Sequence, residues 1–220
     1  MGFVVTLDGP AGAGKSSVAR QLAKRLGIRY LDTGAIYRAI AHTLDKQGIP
    51  PVEGEKLRKN LAVLDVRIEE AGVFVNGEDV SASIRTHRVD RIVSSYAALK
   101  SVRAALLGLQ RDQAKYGALI TDGRDTGTVV FPGADIKFFL TASPEARAER
   151  RYKELVKKGE AVIFREVLAQ IHERDRADRT RETAPLKEPE GALYVDTSCM
   201  TESEVVNQLM FIIRRAQGGG

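Results

Sequence analysis

Gly9-Pro10-Ala11-Gly12-Ala13-Gly14-Lys15-Ser16 is the stretch from which the rest of the chain can be read. It has the form G-x-x-x-x-G-K-S. Glycines let backbone N–H groups turn inward around a phosphate, the lysine neutralises β- and γ-oxygens, and the serine offers its hydroxyl to Mg²⁺. The flanks supply the context such a loop needs. Phe3-Val4-Val5-Thr6-Leu7-Asp8 before it is a short β-branched apolar run, a buried strand. Ser16 to Leu26 after it repeats Val18, Leu22 and Leu26 at helical spacing and stops at Gly27. The positive end of that helix adds to the anion site. Ser17 offers a second hydroxyl, but the spacing favours Ser16. The residues Gly9 to Ser17 therefore bind a nucleoside triphosphate with Mg²⁺, without saying which reaction follows.

Working outward, Ile28 to Asp32 reads as a second strand and Ala35 to Asp45 as a helix closed by Gly48 and Pro50-Pro51. Asp65 to Val80 changes character. Val66-Arg67-Ile68-Glu69 and Val73-Phe74-Val75 alternate around Gly72 and Asn76-Gly77, which predicts a small antiparallel hairpin set. Helical patterns return between Ile84 and Tyr116. Ala118 to Asp122, Ile136 to Leu140 and Leu193 to Asp196 are further strands. Pro144 after Ser143 starts a helix, Glu202 to Ala216 forms the last one, and Gly218-Gly219-Gly220 is a frayed tail. Strands alternating with helices give an α/β fold: a parallel sheet flanked by helices, carrying an antiparallel insertion.

The 220 residues suit one α/β domain with insertions, and a chain of this length buries roughly 70% of its unfolded surface without staples. No apolar run approaches the ~20 residues of a membrane span, and no charged-apolar-small leader opens the sequence. The expected compartment is therefore the cytoplasm. Cys199 is alone, and His42, His87 and His172 lie too far apart to suggest a zinc site. The net charge of +5 points to anionic partners. Only 6% of residues are aromatic and no stacking pattern appears, so no stable nucleic-acid partner is expected.

Three further segments concentrate polar chemistry. Asp32-Thr33-Gly34-Ala35-Ile36-Tyr37-Arg38 follows the second strand, at the strand end where ligands gather in parallel sheets. Its Arg38, one turn into the helix, suits bidentate phosphate contact. Asp122-Gly123-Arg124-Asp125-Thr126-Gly127 ends an apolar strand with an acid that can organise Mg²⁺ and its waters, and sends Arg124 and Asp125 into the same crevice. The third is Arg174-Asp175-Arg176-Ala177-Asp178-Arg179-Thr180-Arg181. The helical stripe Phe164, Val167, Leu168 and Ile171 continues at 3, 4 and 7 spacing onto Arg174, Asp175, Asp178 and Arg181. A face that turns from apolar to arginine-rich suits a lid over polyphosphate, although a salt-bridged surface helix carries the same charges. No Asn-Lys-x-Asp segment of the guanine-binding type occurs, and the chain is short for a motor. A small phosphotransferase with an acceptor site remains.

Together the phosphate loop, Leu31 to Arg38, Asp122 to Pro132 and Glu173 to Arg181 resemble the bacterial cytidylate kinases, in order and over essentially the whole chain. The resemblance implies transfer of the ATP γ-phosphate to CMP or dCMP by a P-loop NTPase core. That core takes in about 1–32, 100–150 and 190–217, with an NMP-binding part at about 33–99, its β insertion at about 65–82, and a helical lid at about 155–185. It also implies residue roles. Arg38 and Arg124 hold the acceptor phosphate with Thr33 and Tyr37 beside it. Ser94, Arg103 and Asp125 read the cytosine, Ser95 being adjacent to the first. Asp178 and Arg174 touch the sugar, and Arg181 reaches the transferring phosphate. Lys15, Arg124, Arg174 and Arg181 are the catalytic set, Arg150 joins the ATP site, and Ser16 and, through water, Asp122 serve the metal. A small kinase of this kind is expected to work as a monomer. Thr33 stands where many relatives have Ser, which retains the hydroxyl.

The chemistry of the base agrees with cytosine. Its N4 amine is a donor and N3 and O2 are acceptors, so a carboxylate and an arginine match its edge. Two readings stay open at this point: a kinase for another monophosphate such as UMP or AMP, and a regulatory nucleotide-binding module with a basic RNA- or DNA-binding surface.

Overall fold

A computed structural model describes residues 2–69 and 72–218. In chain order the elements are β1 (Val4–Asp8), α1 (Lys15–Leu26), β2 (Arg29–Asp32), α2 (Thr33–Lys46), α3 (Glu55–Ala62), β3 (Val66–Glu69), β4 (Gly72–Val75), β5 (Glu78–Asp79), α4 (His87–Ala97), α5 (Lys100–Asp112), β6 (Leu119–Gly123), β7 (Ile136–Thr141), α6 (Pro144–Lys157), α7 (Phe164–Thr180), β8 (Leu193–Asp196) and α8 (Glu202–Ala216). They divide into two units. One contains Met1–Leu31, Gln113–Thr180 and Pro185–Gly220; the other contains Asp32–Asp112 and Arg181–Ala184.

The first unit is built on a five-stranded sheet in the order β2-β6-β1-β7-β8. β1 pairs in parallel with β6 and β7, and β7 with β8. All five residues of β1 are buried, which is why Val4, Val5 and Leu7 occupy both of its faces and its sequence does not alternate. Val5, Leu7, Ile120, Phe138, Leu140 and Val195 of the strands pack with Val18 and Leu22 of α1 and Val206, Leu209 and Ile213 of α8. α8 opens with a reciprocal cap between Thr201 and Glu204, worth about 1 kcal/mol. α6 opens as its sequence predicts, with Ser143 Oγ accepting from Ala146 N and Pro144 in the first turn. α6 and α7 share an apolar cluster of Ala148, Leu155, Val167 and Ile171.

The second unit holds α2 to α5 and an antiparallel sheet β3-β4-β5, the predicted hairpin set. Val73, Val75, Val80 and Ile84 pack on Ala35 and Ala39 of α2. α2 begins two residues before the predicted Ala35, because Asp32 caps it: Asp32 Oδ1 accepts from Ala35 N at 2.8 Å. α3 has no counterpart in the sequence reading, since only Leu57 and Leu61 of it are buried, too few for a period. Residues 100–112 were expected in the core. They group instead with the second unit, where α5 packs on α3, α2 and α4. Gly219 and Gly220 of the expected frayed tail lie outside the described residues.

Candidate active site

The phosphate loop leaves β1 and enters α1 through a turn that only glycine can make at its first position. Gly9 has φ +145°, and a Cβ there would meet the Leu140 carbonyl oxygen at 1.8 Å. α1 then begins at Gly14 with no side-chain cap and no acid in its first turn, so its positive N-terminal end suits an anion. Two loop carbonyls are taken up by side chains from elsewhere in the unit. Ala11 O accepts from Arg147 Nη1 at 3.1 Å, and Ala13 O from Thr197 Oγ1 at 3.3 Å. Lys15 is buried and its Nζ donates to Pro10 O at 2.7 Å. Burial, and then the charge of Arg124, pushes its pKa well below the usual lysine range.

Beside the loop, Ser16 Oγ donates to Asp122 Oδ2 at 2.7 Å, and Tyr30 Oη donates to Asp122 Oδ1 at 2.7 Å. The Ser17 hydroxyl turns back to Gly14 O at 3.0 Å, which leaves Ser16 as the hydroxyl paired with the carboxylate. A serine hydroxyl and a carboxylate in contact form an all-oxygen donor set. Among the described residues no group of three His, Cys, Asp or Glu side chains gathers to hold a metal. The hydroxyl–carboxylate pair fits Mg²⁺, which takes oxygen ligands and completes its shell with phosphate and water.

Three acids and an arginine complete this side. Asp8, fully buried at the end of β1, accepts from Thr126 N and Thr126 Oγ1 at 2.8 Å and from Gly127 N at 2.6 Å. These bonds wind Thr126–Val130 into one π-helical turn directly after Arg124 and Asp125. A Cβ on Gly127 would lie 2.8 Å from Thr6 Oγ1, so only glycine lets that turn approach β1. Burial pushes the Asp8 carboxyl up to about 6, against the hydrogen bonds from Gly127 and Thr126 that pull it down. Arg124 Nε donates to Asp178 Oδ2 on α7 at 2.7 Å. Burial works to lower the pKa of Arg124, but the charge and hydrogen bond of Asp178 outweigh it and hold the guanidinium above its usual range. Asp125 and Asp178 are both buried, and Arg174 is half-buried on α7. Arg150 is anchored at the end of β8, with Nη1 on Thr197 Oγ1 at 3.1 Å and Nη2 on Thr197 O.

The second unit gathers the other predicted residues. Thr33 is the buried first residue of α2, and Arg38 sits two turns from its cap with Nε and Nη2 both 3.4 Å from Asp90 Oδ1. The Arg103 guanidinium lies 5.2 Å above the centre of the Tyr37 ring and donates to Ala97 O at 3.0 Å. Ser94 is half-buried on α4 and Ser95 exposed. Arg181 corrects one expectation. The spacing carries the helical stripe through it, but α7 ends at Thr180, whose hydroxyl bonds back to Arg176 O at 2.8 Å. Arg181 belongs to the second unit, with Nε on Ala184 O at 2.7 Å.

Asp8, Tyr30, Arg147 and Thr197 also belong to this site, although no motif in the sequence marks them. An acid closing a buried strand at a glycine loop was a signal for Asp8. Arg147 stands in the charged run Pro144-Glu145-Ala146-Arg147-Ala148-Glu149-Arg150-Arg151, where nothing marks one arginine as buried.

A phosphate loop between a central parallel strand and a helix, a hydroxyl–carboxylate pair beside it and arginines from the adjoining elements define a P-loop phosphotransferase. The cytidylate kinase family model matches residues 5–215, and the chain belongs to that family. It is 44% identical over 217 residues to the cytidylate kinase of Mycobacterium leprae (strain Br4923), covering 98% of this chain and 97% of that one. It is 46% identical over 215 residues to the cytidylate kinase of Caldanaerobacter subterraneus subsp. tengcongensis, covering 98% and 96%. In fold it is similar to an uncharacterized protein from Eubacterium ventriosum ATCC 27560, with a TM-score of 0.53, 10% identity, and 98% and 99% of the two chains covered. Among the described residues no single helix is long and apolar enough to cross a membrane.

Proposed function

We infer that this enzyme transfers the γ-phosphate of ATP to CMP or dCMP, giving ADP and CDP or dCDP, in the pyrimidine nucleotide metabolism of the cytoplasm. The observation that carries the reading is the Lys15–Ser16–Asp122 constellation at the phosphate loop of a chain in the cytidylate kinase family. An oxygen of the acceptor phosphate forms the new bond to the γ-phosphorus while the bond to the β–γ bridging oxygen breaks, and ADP leaves with that electron pair. The acceptor is already anionic, so no strong base is needed, and alignment with charge neutralisation does the work.

Ser16, with Asp122 through water, would hold Mg²⁺, which when bound neutralises charge on the β- and γ-oxygens. Lys15 exchanges its Pro10 carbonyl for a phosphate oxygen, and the loop amides orient the β-phosphate. Arg124 and Arg38 hold the acceptor phosphate, with Thr33 and Tyr37 alongside. Asp125, Arg103 and Ser94 read the base, Asp178 and Arg174 the sugar. Arg174 and Arg181 neutralise the transferring group, and Arg150 supports the donor site. The unit that holds Asp32–Asp112 forms the acceptor part and α7 belongs to the lid, and the protein acts as a monomer. ³¹P NMR of the protein with Mg-ATP and CMP tests this. ADP and CDP resonances should grow in equal amounts; ADP growing with inorganic phosphate instead would contradict it.

A further inference from the structure

Arg147 is 2% exposed, and the transfer step makes no use of it. Its guanidinium makes four hydrogen bonds. Nε donates to Ala142 O just past the end of β7 at 2.8 Å, and Nη1 to Ala11 O of the phosphate loop at 3.1 Å. The fork closes on Asp175 of α7, Nη1 to Oδ1 at 2.9 Å and Nη2 to Oδ2 at 2.6 Å. Its stem also packs on the loop: a Cβ placed on Gly12 would lie 3.2 Å from Arg147 Cβ. One planar group thus joins the loop, the end of β7 and the helix that bears Arg174 and Asp178.

Stability alone does not account for this group. Buried ion pairs are poor sources of net stability, because desolvation offsets their attraction. α6 and α7 already meet through the apolar cluster of Ala148, Leu155, Val167 and Ile171. What a bidentate fork adds is a fixed distance and angle. The bond to Ala11 makes that geometry responsive. The Ala11 carbonyl and the Gly12 N–H belong to one rigid peptide plane, so any rotation that turns this N–H toward a phosphate moves the oxygen that Arg147 holds.

We propose that Arg147 and Asp175 are positioning residues that tie the phosphate loop to α7, so that a nucleoside polyphosphate in the loop fixes the helix carrying Arg174 and Asp178. The proposal rests on the kinase reading for what α7 delivers; the tie itself connects loop and helix whatever the acceptor.

Hydrogen exchange of the α7 amides, Phe164–Thr180, with and without saturating ADP tests it, with calorimetry for ADP affinity. In the wild type ADP slows α7 exchange by about tenfold, a typical size for coupling between sites. Asp175→Asn binds ADP within about fivefold of the wild type, yet the ADP-dependent slowing of α7 falls below about twofold. The pair Arg147→Met with Asp175→Leu replaces the bridge by apolar side chains, a change that buried ion pairs tolerate. It keeps the melting temperature and also loses the slowing, which separates positioning from folding. In turnover assays of both variants kcat falls while the KM for ATP moves little. Full ADP-dependent slowing in either variant, or none in the wild type, overturns the proposal. If α7 responds to ADP but CMP is not phosphorylated, the tie stands and the functional reading falls; phosphorylation of CMP without any response of α7 gives the reverse.

Discussion

Arg124 Nε and Asp178 Oδ2 are 2.7 Å apart, joining the loop after β6 to the last turns of α7. The pair brings together two groups assigned to opposite ends of one ligand, the arginine to the acceptor phosphate and the acid to its sugar. The carboxylate holds the guanidinium in one orientation and leaves other N–H groups of the fork to bind an anion. Asp178→Asn is expected to raise the KM for CMP by about tenfold, the worth of one charge-assisted hydrogen bond, and the KM for ATP by much less. Initial rates with each substrate varied in turn decide it, and equal shifts in both constants would contradict the assignment.

Lys15→Ala should lower kcat by about a thousandfold or more, the scale of losing a charge that stabilises a transferring phosphoryl group. The fold should not suffer. Burial pushes the pKa of Lys15 down, so the folded state carries its charge at a cost, and the melting temperature of the variant should equal or exceed that of the wild type. Turnover near the wild-type level would overturn the role of Lys15.

Asp125→Ala should erode the preference for CMP over UMP. Uracil presents its O4 acceptor where cytosine presents the N4 amine, and two acceptors face to face cost about 1–3 kcal/mol, or ten- to hundredfold in preference. The ratio of kcat/KM for CMP and UMP, compared between wild type and variant, measures this. A variant with undiminished discrimination would show that another residue reads the base.

Asp8 gives a prediction about pH. Its carboxyl is raised by burial from 3.8 to about 6 in the folded protein, so between those values the folded state binds the proton that the unfolded state has released. The group's contribution is therefore full below pH about 4 and is lost as the pH rises through 6, a change of about 3 kcal/mol. Urea unfolding of wild type and Asp8→Asn from pH 4 to 7.5 should show the wild type losing stability relative to the variant as pH rises. A constant difference would contradict the raised pKa.

Much of the fold was legible because β1 and β6 are buried along their whole length and the helices are punctuated. β8 and α8 end where Leu193, Asp196, Glu202 and Ala216 predict, and the hairpin set follows from Asn76-Gly77. α3 escaped because two buried leucines in eight residues set no period. The start of α2 was misplaced because Gly34 hid a helix that Asp32 caps. At the site, the placement of Lys15, Ser16 and Asp122 beside one loop was legible from the G-x-x-x-x-G-K-S spacing and from an acid at a strand end. Arg147, Thr197 and Asp8 were not, because their partners, backbone groups and side chains alike, lie far away in sequence. Nothing in a local pattern tells which arginine of α6 lies beneath Ala11, or that the acid closing β1 winds the turn at Thr126 and Gly127.

The most direct measurement of the central claim is ADP release from Mg-ATP with CMP, dCMP, UMP, AMP and dTMP offered one at a time. Fast turnover is expected with CMP and dCMP and slower turnover, by about ten- to hundredfold, with UMP. Fast turnover with AMP or dTMP instead would keep the kinase and discard the reading of the base by Asp125 and Arg103. A folded protein that binds ATP and turns over none of the five would contradict the account and leave a nucleotide-binding module in its place.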